Sequence, residues 1–257
     1  MIPTTPSDNI QDFLAFLQQM IGSVALRDRA GALSRDIERF AALVKLPLPS
    51  LYRGYLSEFG ANDGCLKMAD DGNPRIGSLI KLYVEQELKK IPEIPPHCVA
   101  ISTAGLTGGR ALLYKAKPDE HGGFAYSPDA PSVVVNVDAD IDYPCAQSFR
   151  NYLYRQAFVR GRFPEGAPFA SLFRADDKLY AEATQFASTR GLQAYWFSDD
   201  YSVCMERDDG AAMHIMRYND RVSIYLCARD TATRDQLKAT LIQNLRLRDS
   251  SPPDRRK

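Results

Sequence analysis

The chain has no excess of either charge, since 32 Lys and Arg residues stand against 32 Asp and Glu. A protein that grips a phosphate backbone through its overall field carries a basic surplus, so direct nucleic-acid binding of that kind is not expected. Cysteine is sparse and odd in number. Cys65, Cys98, Cys145, Cys204 and Cys227 form no C-x-x-C pair, and no histidine stands at metal-ligand spacing from them. Neither a disulfide framework nor a bound metal is expected; small buried thiols in a reducing compartment are. The longest apolar stretches fall far short of the ~20 residues that span a bilayer. The opening MIPTTPSDNIQDF lacks the positive and apolar regions of a secretory signal. The expectation is a cytoplasmic protein with no membrane partner.

What is present is an ordinary globular composition, 45% hydrophobic and 25% charged over 257 residues, enough for one large domain or two modest ones with a real core. In the first half, apolar residues at three- and four-residue steps predict helices near Ile10–Leu17 and Arg29–Val44. Pro47 and Pro49 stop the second of these. A short helix over Leu51–Phe59 and another over Gly77–Lys89 follow. Beyond Pro92, Pro95 and Pro96 the texture changes to strands at Val99–Ile101, Arg110–Lys115 and Ser132–Val137, and a helix over Ser148–Phe158 closes the half.

Gly161–Ala167 is a Gly/Pro-rich connector. The second half predicts a helix over Asp176–Thr189 and strands at Leu192–Phe197 and Tyr201–Glu206. A hairpin of Ala212–Arg217 with Arg221–Ala228 comes next, then a helix capped by Asp230 or Thr231. Strands bounded by helices without strict alternation make both halves α+β, a twisted mixed or antiparallel sheet with packed helices followed by a second small module. The expected division is residues 1–160, residues 165–248, and a disordered tail from 249 to 257.

The stretch IERFAALVKLPLPSLYRGYLSEFGANDG (37–64) is an amphipathic helix running into Leu-Pro, a Tyr-Arg-x-x-Leu helix and a glycine turn. IPEIPPHCVAIST and GLTGGRALLYK add a proline turn, a strand, a glycine loop and a strand. SVVVNVDADIDYPCAQSFRNYLYRQAF adds a final strand, an acidic loop and a helix. In this order the segments resemble the SUKH superfamily of toxin-immunity domains, over about residues 34–158. The resemblance implies a non-enzymatic fold that binds and blocks a cognate protein toxin, often a nuclease. Some members act instead as regulatory scaffolds or adaptors.

Candidate chemistry is weak elsewhere. His97, His121 and His214 lack sequence partners and read as surface or satisfied core residues. Ser198-Asp199-Asp200 reads as a turn. Gly105–Arg110 leads into a strand and lacks the Lys and Ser/Thr of a phosphate loop, so it reads as an inter-strand turn. The aromatic and basic run Tyr152, Tyr154, Arg155, Phe158, Arg160, Arg162 and Phe163 divides between a buried and a solvated helix face. No nucleophile–base pair, metal set or cofactor loop appears, so no enzyme and no cofactor is expected. The single Trp196 reads as core of the second module.

One segment departs from this background. Pro118–Phe149 contains no Lys or Arg but carries Asp119, Glu120, Asp129, Asp138, Asp140 and Asp142. An acidic patch of this kind steers a basic partner. The candidate binding residues are therefore Glu120, Asp129, Asp138, Asp140 and Asp142, with Tyr143 as an amphipathic anchor.

Overall fold

The structure, a computed structural model, describes residues 5–22, 26–68, 73–89, 94, 98–103, 111–115, 117–118, 124–125, 133–138, 141–164, 167–176, 178–218 and 221–250. Within 111–144, and at Tyr218, it describes the backbone. The chain forms two compact units, Met1–Ala157 and Phe158–Lys257, which part inside a helix just ahead of the Gly/Pro connector. The fold class is α+β, and every strand pairing described is antiparallel. Among the described residues no helix is long and apolar enough to cross a membrane.

The first unit opens with helix α1 (Ile10–Ile21), whose N-cap Asn9 accepts from the Gln11 N–H. Strand β1 (Arg29–Ala30) precedes α2 (Ser34–Val44), α3 (Ser50–Phe59) and strand β2 (Asn62–Asp63). The helix expected from Arg29 thus begins later, at Ser34. Arg29 and Ala30 pair instead with Asp63 and Asn62, and the Ala32 N–H donates to the Leu56 carbonyl at 2.9 Å. Long-range hydrogen bonds at this point outweigh the helical pattern. After α4 (Ile76–Glu87) come β3 (Cys98–Ala100), β4 (Ala111–Lys115), β5 (Lys117–Pro118), β6 (Phe124–Ala125), β7 (Val133–Asp138) and β8 (Ile141–Ala146). Their main sheet has the order β3-β4-β7-β8, and β5 and β6 pair separately.

Helix α5 (Phe149–Arg162) begins in the first unit and ends in the second. In the first unit its Tyr154 meets Phe13 and Phe16 of α1 at ring distances of 5.3 and 5.0 Å. Phe149 meets Tyr52 edge-on at 5.1 Å, and Phe40 meets Tyr83 at 5.5 Å. Buried tyrosines use their hydroxyls to tie helix to strand and loop. Tyr52 donates to the Ala100 carbonyl at 3.2 Å, the Ala100 N–H donates to Tyr83 at 3.0 Å, and Tyr152 donates to the Met68 carbonyl at 2.5 Å. The buried Tyr55 hydroxyl finds no hydrogen-bond partner among the described residues; desolvation, and then the nearby Asp63 carboxylate, push its pKa well up.

The second unit contains β9 (Ala170–Ala175), α6 (Leu179–Thr189), β10 (Gln193–Ala194), β11 (Ser202–Glu206), β12 (Ala212–Tyr218), β13 (Arg221–Cys227), α7 (Thr231–Leu245) and β14 (Arg248–Asp249). They form one antiparallel sheet in the order β10-β11-β12-β13-β9-β14. Alternation along the strands sends Val203, Met205, Met213, Ile215, Ile224, Leu226 and Leu172 to one face, where Ala183 and Ala187 of α6 and Leu237, Leu241 and Leu245 of α7 complete a core. Asp230 caps α7 by accepting from the Thr233 N–H at 2.7 Å, and those backbone bonds hold its carboxyl below the usual range.

Candidate functional site

Hairpin β7–β8 carries three of the acidic candidates. Its register pairs Asp138 with Ile141, Asn136 with Asp142 and Val135 with Tyr143, with irregularities between Val133 and Val134 and between Asn136 and Asp138. Asp138 ends one strand, while Asp142 and Tyr143 stand near the start of the next, so the expected acidic loop falls largely on two paired strands. Pro144 disguised the second strand, because proline inside a strand argues against one except at a sheet edge or bulge. Here β8 is the last strand in the order of its sheet, and its pairing is irregular. Neighbouring Cα atoms across an antiparallel pair lie about 4.5–5.5 Å apart, which brings Asp138 and Asp142 to one end of the hairpin. Asp140, between the strands, lies outside the described residues, as do Glu120 and Asp129.

Much of the aromatic and basic run of α5 is buried. Tyr152, Tyr154 and Phe158 are buried. Arg155 is buried too; it donates to the Cys145 carbonyl at 2.5 Å and lies over the Tyr152 ring. Ser198-Asp199-Asp200 is a turn, with the Asp199 carboxylate accepting from the Tyr201 and Ser202 N–H groups at 2.9 and 3.1 Å. Gly105–Arg110, His97 and His121 lie outside the described residues. Trp196 is half-buried, edge-on to Phe197 at 5.5 Å.

Two arrangements in the second unit were not legible as motifs. Hairpin β11–β12 sets Cys204 opposite His214 and Ser202 opposite Met216, so Ser202 and His214 fall on the same sheet face. Their side chains meet, Ser202 Oγ to His214 Nε2 at 2.8 Å, and Tyr225 of β13 stacks on the imidazole at 5.9 Å. The distance would suit a nucleophile and base. At 2% and 4% exposure, however, the pair is shut away from any substrate, and the contact satisfies a buried imidazole.

The second arrangement is a cleft of about 410 Å³ lined by the end of α5, the connector, the β11–β12 turn and the start of α7. Within it Arg162 grips Glu206 through two contacts, Nε–Oε1 at 2.8 Å and Nη2–Oε2 at 3.0 Å. The Tyr195 hydroxyl donates to the same Oε2. Burial, followed by that carboxylate, raises the Tyr195 pKa. Cys227 lines the cleft as well; its thiol donates to the Arg162 carbonyl at 3.0 Å, and burial pushes its pKa up to about 11. A thiol so protonated is a poor nucleophile at neutral pH.

Neither the known protein-family models nor the curated proteins yield a match to this chain.

Proposed function

We propose that this chain is a non-enzymatic protein-binding protein of the immunity type, which neutralises a cognate, basic toxin by binding and occlusion. The observation that carries the reading is hairpin β7–β8, which holds Asp138 and Asp142 at one end with Asp140 between them. Pro118–Phe149 contains no Lys or Arg, so the hairpin's own stretch of sequence brings no cation to offset its charge. Nuclease toxins are basic where they meet nucleic acid, and opposed fields of this kind chiefly raise the association rate. The order of elements in residues 34–158, helices followed by an antiparallel sheet and a closing helix, agrees with the SUKH resemblance. Tyr143, one position beyond Asp142, supplies the amphipathic anchor. A cytoplasmic site of action belongs to the same proposal.

The test is co-expression with the toxin encoded by the neighbouring gene, followed by titration of the purified pair. Rescue of growth and tight one-to-one binding are expected. In the triple variant Asp138→Ala, Asp140→Ala, Asp142→Ala, association should slow about tenfold or more at low salt and lose most of its salt dependence. An unchanged rate would remove the hairpin from the interface. A regulatory adaptor is the second reading, favoured by the division into two compact units, the second with its own core. If the second unit were the recruiting module, a partner pull-down would depend on residues 158–257 while toxin rescue failed.

A further inference from the structure

The cleft of the second unit has an electrostatic asymmetry that its fold does not require. Three arginines line it, Arg162, Arg229 and Arg234, against one described carboxylate, Glu206. Glu206 is already held by Arg162 and Tyr195, and Arg234 is paired with Asp235 at 2.8 Å. Arg229 differs from both, having no carboxylate partner among the described residues.

The position of Arg229 is nonetheless prepared. Its side chain lies across Gly210 in the β11–β12 turn, where an added β-carbon would stand 2.5 Å from Nε and 2.8 Å from Cγ. The same glycine has φ +85°, so glycine is favoured there on both counts. The turn is braced by Arg207 and Asp209, joined by two hydrogen bonds of 3.0 and 2.6 Å, and the Asp209 carboxylate also accepts from the Ala211 N–H. A guanidinium with no carboxylate partner among the described residues is thus laid over a fixed turn that lines the cleft. The lining also has apolar members, Pro164, Ala167, Pro168 and Ala228. Thr231, in the first turn of α7, adds a hydroxyl.

We infer that this cleft binds a small organic phosphate, with Arg229 on the phosphate and the proline–alanine wall against the organic part. Its volume falls in the range of small-molecule sites, and guanidinium groups favour phosphate through paired, charge-assisted hydrogen bonds. The site is independent of the acidic hairpin and of the toxin-binding proposal.

Calorimetric titration of the full chain at fixed ionic strength tests it, first with inorganic phosphate and then with adenosine monophosphate. Saturable one-to-one binding of both is expected, the nucleotide at least tenfold tighter because of the apolar wall. Arg229→Gln should weaken both by about tenfold or more. Arg53→Gln, which alters a guanidinium in the first unit, should leave them unchanged. The absence of saturable binding, wild-type affinity in Arg229→Gln, or equal weakening by Arg53→Gln would overturn the site. A nucleotide no tighter than phosphate would overturn the organic ligand.

Discussion

Replacing Gly31 by alanine is expected to destabilise the first unit by about 3 kcal/mol, near the upper end for overpacking. The reason is steric. A β-carbon at residue 31 would stand 1.8 Å from the Ser57 carbonyl oxygen and 2.8 Å from its carbon. Those atoms belong to the backbone of α3 and cannot rotate away as a side chain could. The flanking bonds hold the segment in place, with the Ala32 N–H donating to Leu56 and the Ala61 N–H to Ala30, both at 2.9 Å. Relief of the clash would therefore break the β1–β2 pairing. Gly77 is the contrast. It lies in the first turn of α4 with nothing within 4 Å of the added atom, so Gly77→Ala should be neutral or stabilising by up to about 1 kcal/mol. Urea unfolding followed by circular dichroism measures both; equal midpoints for the two variants would refute the close approach at Gly31.

Leu241→Ala should cost the second unit about 2–5 kcal/mol. Leu241 is fully buried on α7, between Leu237 and Leu245, against the face formed by Leu172, Ile224 and their neighbours. Ala183 and Ala187 of α6 share the same core and are small, so they offer little bulk to refill the space. Much of the lost volume should persist as a cavity, placing the variant toward the costly end of that range. Thermal unfolding monitored by tryptophan fluorescence is suited to the measurement, since Trp196 lies in the same unit. A loss below about 1 kcal/mol would mean that α7 shifts to close the gap.

Much of the local structure was legible in the sequence. The three- and four-residue spacing over Ile10–Leu17 became α1, and the leucines at 237, 241 and 245 became the buried stripe of α7 behind its Asp230 cap. The β12–β13 hairpin also follows its alternating pattern. These succeed because a periodic pattern and a cap act within a few residues. Strand β9 was missed because ASLFRA mixes small, polar and apolar residues; it is a strand only because Leu172 and Phe173 meet Ile224 and Ser223 of β13. The expected strand at Leu192–Phe197 shrank to Gln193–Ala194, where it pairs with Met205 and Glu206.

The acidic run around Asp138–Asp142 is local in the same sense, since charge can be read residue by residue; its arrangement as a hairpin depends on the partner strand β7. The sequence by itself determined the α+β class, the principal helices and the place where acidic charge accumulates. Tertiary structure alone decided that Ser202 meets His214, that Gly31 must remain bare, and that Arg162, Glu206 and Arg229 line one cleft. Each of these joins residues far apart in the chain, and strand register and helix packing, which no short window contains, bring them together.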